Sequence, residues 1–182
     1  GDHPPVNRRQ YSIPYALRPK VDEQVLKWWE AGSVKPLEGL TDWNSPLMAV
    51  PKRDPNGVIY DHRTVIDPRP INLMLPDISH PLPLIHDILE SLSGAIIFTQ
   101  LDLKQSYLQF LLHARDQHKT TFTWFNRQFH FIGVPFGFKN IPALFQKVMS
   151  DIFKDYSFIL VYMDNIIIHS RSFREHVNHV II

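Results

Sequence analysis

A short polar break, Tyr162-Met163-Asp164-Asn165, interrupts the apolar run Phe158-Ile159-Leu160-Val161 and Ile166-Ile167-Ile168. Apolar residues on both sides of a polar tetrapeptide predict a tight hairpin between two buried strands, with Asp164 in its turn. A turn between paired strands holds a carboxylate more rigidly than a mobile loop does, which suits a metal ligand. Asp164 is therefore the first candidate site residue.

The composition is that of an ordinary globular protein. With 182 residues, 44% hydrophobic and 20% charged, the chain suits one domain, or one domain plus a small lobe. No apolar stretch approaches the ~18–20 residues that span a bilayer, and the N-terminus lacks a signal-peptide pattern. The absence of Cys excludes disulfides and thiolate metal sites. We expect an intracellular protein without a membrane partner, and a net charge of +1 leaves any nucleic-acid binding to a local groove.

The order of elements predicts an α+β protein with two lobes. Most of the 15 prolines fall in the first half, and residues 1–20 are expected to form an extended arm. Asn56-Gly57 between two short apolar runs predicts a β-hairpin. We further predict helices over 19–32, 85–92, 143–153 and 173–182, a buried strand over 96–103, and paired strands across 122–131.

Two of the helices have an apolar face that we expect to be buried. In the helix over 19–32 this face comprises Val21, Val25, Leu26 and Trp29, and in the helix over 143–153 it comprises Leu144, Phe145, Val148, Met149 and Ile152.

A second acidic residue, Asp102, closes the predicted strand over 96–103. If this strand and the 158–168 hairpin join one antiparallel sheet, Asp102 and Asp164 reach a common site. Nucleotidyl transfer uses two divalent ions ~3.5–4 Å apart, and their mutual repulsion requires several anionic oxygen ligands. From these two residues alone, a turn or helix-cap role remains an alternative.

Seven segments of the chain follow one another in a fixed order. They are 33–36 with 43–46, 50–54 with 56–57, 63–67 with Arg69 and 71–72, 81–85, 101–109, 135–146 and 161–167. Together they resemble the fingers and palm of reverse transcriptases from gypsy-class LTR retrotransposons, which are parts of retroviral-type Pol polyproteins. The last segment resembles the family's Tyr-x-Asp-Asp box, with Asn165 in place of the second Asp.

This resemblance implies a right-hand polymerase fold and roles for particular residues. Asp102 and Asp164 would bind two Mg²⁺ ions, with Mn²⁺ as an alternative, and Asn165 would occupy the third acidic position of the catalytic set. The expected dNTP contacts are Lys52, Arg53, Arg63, Tyr107, Phe136 and Gly137, and the expected template and primer contacts are Gln146, Tyr162 and Met163. The implied partners are an RNA template, a DNA primer and dNTPs, and nothing is implied about oligomeric state.

The resemblance also divides the chain. Residues 1–20 form the arm, residues 21–85 belong mainly to the fingers, and residues 86–182 belong to the palm with a fingers insertion around 113–140. The family's thumb and RNase H regions would lie beyond Ile182, outside this sequence.

Simpler interpretations compete with the implied roles. Tyr107 is also suited to a core, and Lys52 and Arg53 to a solvated hairpin. Arg63 is suited to a surface ion pair with Asp61 or Asp67. His176 and His179 are favoured as a solvated helix face over a metal site.

Two functions therefore remain open. One, which the resemblance favours, is RNA-directed DNA synthesis by nucleotidyl transfer from a dNTP to a primer, attenuated by the neutral Asn165. The other is a catalytically inactive, retroelement-derived module that binds nucleic acid or protein.

Overall fold

The structure is a computed structural model that describes residues 3–78 and 83–181. Six helices and eight strands follow one another along it. In chain order they are α1 (Arg18–Glu30), β1 (Val34–Pro36), β2 (Leu47–Arg53), β3 (Ile59–Ile66), α2 (Arg69–Asn72), α3 (Ile85–Ser91), β4 (Ile97–Asp102), α4 (Ala114–Gln117), β5 (Phe122–Trp124), β6 (Arg127–Phe131), α5 (Ile141–Phe153), β7 (Ile159–Tyr162), β8 (Asn165–Ser170) and α6 (Phe173–Ile181).

The chain divides into two compact units. Unit 1 comprises residues 1–75 and 107–139, and unit 2 comprises residues 76–106 and 140–182. The first unit contains the antiparallel sheet β1-β6-β5 and the β2-β3 hairpin, and the second contains the antiparallel sheet β4-β8-β7.

An aromatic core holds unit 1 together. Trp28 of α1 lies edge-on to Phe122 and Phe131, with ring centroids 6.2 and 5.1 Å apart, and Phe122 stacks on Phe129. Val21 and Val25, one turn apart on α1, are fully buried in the same core. Edge-to-face and offset aromatic pairs add to the stabilisation that apolar burial provides, so α1 is fixed firmly on the β1-β6-β5 sheet.

Unit 2 is a three-stranded sheet with two helices packed on it. Helix α5 packs on β7, and α6 packs on β8 and β4. Ile166 and Ile168 of β8 are buried, as are Phe145 and Met149 of α5. Because β8 is the central strand, the two-residue alternation of its side chains determines which residues reach this core.

The structure confirms the predicted elements. The Asn56-Gly57 hairpin, the pairing across 122–131, the 158–168 hairpin and the four long helices all form close to their expected bounds. The segment Pro81–Ile85 lies partly outside the described residues. Within the described ranges, no helix has the length and apolar character needed to cross a membrane.

Four residues that we predicted to be buried are exposed. Trp28 rather than Trp29 enters the core, and Leu26 is also exposed, because the helical twist places position 28 on the face of Val21 and Val25. On α5, Leu144 and Ile152 are exposed.

Strand β4 is mostly exposed instead of buried, with side chains of Phe98, Leu101 and Asp102 open to solvent. It is an edge strand of its sheet, which explains this exposure.

Candidate active site

The turn between β7 and β8 presents the acidic residue that the sequence singles out. Tyr162 and Asn165 are cross-strand partners, so Met163 and Asp164 occupy the two central positions of the turn. Met163 has a φ of 54°, a left-handed value at the first central position, as in type II′ hairpin turns. A non-glycine residue in this region is strained, and the surrounding contacts must hold it there.

Gln146 of α5 provides those contacts. Its Nε2 donates to the carbonyl oxygen of Val161 at 2.9 Å, and its Oε1 accepts from the backbone N–H of Met163 at 2.8 Å. The side chain is 1% exposed. Gln146 therefore holds the turn in place through two hydrogen bonds. The sequence led us to expect a template contact for this residue and did not predict this role.

Asp102 lies beside this turn. It is the direct cross-strand partner of Asn165, and the N–H of Leu103 donates to the carbonyl oxygen of Asp164 at 3.1 Å. The two predicted metal ligands thus lie at the same end of one sheet. In the part of the chain that the structure describes, neither carboxylate has a hydrogen-bond or salt-bridge partner, which leaves their oxygens available to a cation.

Asn165 differs from these two acids. Its Oδ1 accepts a hydrogen bond from Gln100 Nε2 at 2.8 Å. Gln100 lies two residues before Asp102 and therefore on the same face of β4. The oxygen at the third acidic position is therefore already engaged. Among the described residues, no group of three or more His, Cys, Asp or Glu comes together to hold a metal ion.

Hard oxygen donors such as Asp102 and Asp164 fit a divalent ion of the Mg²⁺ type. They supply two carboxylates in place of the three acids of the family pattern.

Several predicted nucleotide contacts line a common cleft in unit 1. Arg63, Phe136 and Gly137 surround it together with the Asp67-Pro68-Arg69 segment. Tyr107 is buried, and its ring lies 5.1 Å from that of Phe136. Gly137 has a φ of +100°, and a Cβ there would meet Pro68 Cγ at 2.8 Å, so only glycine fits without displacing the cleft wall.

A buried carboxylate fixes one side of this cleft. Asp67, 1% exposed, accepts hydrogen bonds from Arg69 Nε and Nη2 and from the hydroxyl of Tyr11, each at 2.8 Å. The bidentate Arg69 contact, above all, lowers the pKa of Asp67 from 3.8 to about 2, against the opposing effect of burial. The sequence shows Asp67 and Arg69 within one motif, but it contains no signal for Tyr11.

The predicted cations occupy different environments. Lys52 Nζ lies 2.9 Å from Asp61 Oδ2, and Arg53 Nη1 donates to the carbonyl oxygen of Gly57 in the hairpin turn. Arg63 is exposed and makes no salt bridge within the described residues. The alternative that paired Arg63 with Asp61 or Asp67 is therefore wrong, because lysines pair with Asp61 and Arg69 pairs with Asp67.

The two histidines of α6 do not form a solvated face, contrary to the favoured expectation. His176 is 7% exposed, and its ring nitrogens lie 2.8 Å from the hydroxyls of Thr99 and Ser170. His179 Nδ1 lies 2.9 Å from the same Ser170 hydroxyl, and its ring stacks on Phe158. These contacts fasten α6 to β4 and β8, and they explain both histidines without a metal.

Comparison with known proteins places this geometry in a family. Residues 50–182 match the family described as "Reverse transcriptase (RNA-dependent DNA polymerase)". The chain belongs to the reverse transcriptase family. It is 34% identical to the "Retrovirus-related Pol polyprotein from transposon opus" of Drosophila melanogaster and 33% identical to the "Transposon Tf2-7 polyprotein" of Schizosaccharomyces pombe, in each case over 94% of its own length.

Solved structures agree with the family assignment. The foamy viral protease-reverse transcriptase in complex with double-stranded DNA superimposes with a TM-score of 0.84 at 27% identity, covering 99% of this chain and 31% of that one. The same enzyme in complex with an RNA/DNA hybrid gives a TM-score of 0.80 at 26% identity, covering 99% and 23%. The α+β fold is therefore that of the fingers and palm of a right-hand polymerase, as expected.

The reverse transcriptase chain described here is short beside its relatives. It spans 17% of the opus polyprotein and 12% of the Tf2-7 polyprotein. Reverse transcriptases use divalent metal ions, and the candidate ligands for them in this chain are Asp102 and Asp164.

Proposed function

We propose that this chain carries the catalytic carboxylates and nucleotide contacts of an RNA-directed DNA polymerase, which transfers a nucleotide from a dNTP to the 3′-hydroxyl of a primer and releases pyrophosphate. The observation that carries the proposal is the β4-β8 register. It pairs Asp102 with Asn165, next to Asp164, so that two acids without partners among the described residues emerge at one end of a sheet. Partner-free carboxylates at rigid strand ends suit cation binding.

Under this proposal Asp102 and Asp164 hold two Mg²⁺ ions, or Mn²⁺ in their place. Ions held there would supply Lewis-acid chemistry to the attacking hydroxyl and to the leaving group. Gln146 holds the strained turn so that Asp164 stays in position. The engaged, neutral Asn165 removes one negative charge from the site, and we expect weaker metal binding and a greater dependence on Mn²⁺ as a result.

The cleft in unit 1 is proposed to bind the dNTP. Arg63, an exposed guanidinium without an internal partner among the described residues, is suited to charge-assisted contacts with phosphate oxygens. Lys52 and Arg53 add positive charge on the same hairpin. The buried Tyr107 ring beside Phe136 gives a rigid wall that would exclude a ribose 2′-hydroxyl, and would thereby favour deoxynucleotides.

The nucleic-acid partners are proposed by analogy. The foamy viral enzyme is described with double-stranded DNA and with an RNA/DNA hybrid, and we propose a primer paired with an RNA template for this chain. Tyr162 and Met163 remain proposed template and primer contacts, whereas the Gln146 side chain is buried against the turn and is not proposed to touch the template. The dNTP substrates imply an intracellular setting. We also propose that residues 21–85, with an insertion around 113–140, belong mainly to the fingers and that the rest of 86–182 belongs to the palm.

A second candidate is a catalytically inactive module that retains nucleic-acid or protein binding. The hydrogen bond between Gln100 and Asn165 favours it, because the third ligand position is both neutral and occupied.

Primer extension on an RNA template separates the two candidates. The unmodified chain and the variants Asn165→Asp and Asp102→Ala are compared with dNTPs in Mg²⁺ and in Mn²⁺. The proposal predicts that Asn165→Asp raises incorporation in Mg²⁺ and that Asp102→Ala abolishes it. If none of the three incorporates a nucleotide, although all bind primer–template, the inactive-module proposal is preferred. The same variants in a longer polyprotein chain then show whether regions outside residues 1–182 are required.

A further inference from the structure

One carboxylate of unit 1, Asp61, is shared by two lysines from different elements. Lys52, on the neighbouring strand β2, places Nζ 2.9 Å from Asp61 Oδ2, and Lys20 of α1 forms an ion pair with Oδ1. The Asp61 side chain is 28% exposed, and the lysine side chains are about 40% exposed. Two ammonium groups on one carboxylate leave a net charge of +1.

The strand register adds Arg63 to this group. Lys52 is directly opposite Asp61, and Val50 is directly opposite Arg63. Residues directly opposite in an antiparallel pair share a face, and so do residues two apart on one strand. Lys52, Asp61 and Arg63 therefore lie on one face of the hairpin. With Lys20, this face carries three cations and one carboxylate.

We propose that Lys20 and Asp61 are positioning residues for the Lys52 side chain in polyphosphate binding. Asp61 holds the Lys52 ammonium in place before a ligand arrives. When Lys52 transfers to a phosphate oxygen, Lys20 remains on Asp61 and neutralises it, so the carboxylate is not left unpaired beside an incoming anion. The inference rests on the proposed nucleotide-binding function of Lys52 and Arg63, and it extends that site to α1.

The alternative is that the Lys20–Asp61 pair only joins α1 to the hairpin. Exposed ion pairs change an equilibrium by less than about tenfold, so a stability measurement alone does not distinguish the two roles. Polyphosphate affinity does, because a purely structural pair leaves it unchanged as long as the variant is folded.

The test is a titration of the chain with inorganic tripolyphosphate at low ionic strength, in which isothermal titration calorimetry measures Kd. We expect Lys20→Met to raise Kd roughly two- to fivefold, the range open to exposed charge pairs. Asp61→Asn removes both the contact that positions Lys52 and one negative charge, so it serves as the background in which the effect of Lys20→Met is measured without its partner. Lys20→Arg keeps the positive charge beside Asp61, and its Kd is expected to equal that of the unmodified chain. In the double variant Lys20→Met/Asp61→Asn, Lys20→Met should change Kd less than it does in the unmodified chain, because its partner Asp61 is gone.

Lys27→Met is the matched control. Lys27 lies on the same helix and pairs with Glu23 instead of Asp61, so its substitution changes the net charge equally. Urea unfolding of each variant verifies that the chain is folded. If Lys27→Met and Lys20→Met change Kd equally, the effect is one of overall charge and the proposal is wrong. It is also wrong if the unmodified chain does not bind tripolyphosphate.

This outcome is independent of catalysis. Tripolyphosphate binding that depends on Lys20, together with failed primer extension, would contradict the proposed activity and keep the positioning role. Successful primer extension with a KM for dNTP that Lys20→Met does not change would support the proposed activity and contradict the positioning role.

Discussion

The Asp67–Arg69–Tyr11 cluster allows a quantitative prediction about the stability of unit 1. The pKa of Asp67 falls from 3.8 to about 2 on folding. At about 1.4 kcal/mol per pH unit, this fall stabilises the folded state by about 2 kcal/mol when the carboxylate is ionised. Because the folded pKa is the lower one, the stabilisation is complete above about pH 4, and it is lost as the pH falls toward 2.

Replacement of Asp67 by Asn removes this contribution while keeping the size of the side chain. We predict that Asp67→Asn lowers the free energy of unfolding by about 2 kcal/mol at pH 7, and that the difference from the unmodified chain shrinks between pH 4 and pH 2. Urea unfolding at a series of pH values, monitored by the fluorescence of the four Trp residues, measures both quantities.

Asp116→Asn is the control for this experiment. Asp116 also forms an ion pair, with Lys119, but its side chain is 36% exposed, and solvent screens such a pair. We expect a much smaller effect from this substitution. Equal stability of Asp67→Asn and the unmodified chain at pH 7 would refute the reasoning, as would a difference that persists unchanged at pH 2.

Three further substitutions test individual contacts. Gly133→Ala would place a Cβ against the carbonyl oxygen of Leu108. Because overpacking typically costs roughly 1–3 kcal/mol, we expect the free energy of unfolding to fall by at least this amount. Ser106→Ala removes a buried hydroxyl that has no hydrogen-bond partner among the described residues, so urea unfolding should show unchanged or higher stability, by up to about 1 kcal/mol. Gln146→Leu leaves the N–H of Met163 and the carbonyl of Val161 unpaired, which is expected to cost roughly 1–3 kcal/mol and to speed amide hydrogen exchange at Met163.

Local pattern was sufficient for most of the secondary structure. The Asn56-Gly57 pair and the polar break at Asp164 each lie between apolar runs, and a hairpin follows from these few residues alone. The apolar period of α1 predicted its extent, whereas the choice between Trp28 and Trp29 depended on side-chain direction. Positions 28 and 29 both follow Val21 and Val25 at helical spacings, so the apolar period left the choice between them to the precise direction of each side chain.

Long-range contacts set the limits of the sequence reading at the site. The pairing of Asp102 with Asn165 joins two strands that are distant in the chain. The pattern did not predict it, and the resemblance to a family implied only that Asp102 and Asp164 serve one metal site. Contacts that depend on one unexpected partner were missed, such as Gln100 with Asn165 and Tyr11 with Asp67. The exposure of β4 was missed for a related reason, since an apolar run does not indicate whether its strand is central or at an edge.

The central claim is that Asp102 and Asp164 together bind a divalent ion at the turn between β7 and β8. Electron paramagnetic resonance of Mn²⁺, titrated into the unmodified chain and into Asp102→Ala, Asp164→Ala and Asn165→Asp, tests it independently of catalysis, with Asp116→Ala as a charge-matched control. We predict that Asp102→Ala and Asp164→Ala each weaken Mn²⁺ binding by roughly tenfold or more, because even substitution of residues that only hydrogen-bond to metal ligands costs about that much. We predict that Asn165→Asp strengthens Mn²⁺ binding. Equal Mn²⁺ affinity in all five proteins would contradict the claim.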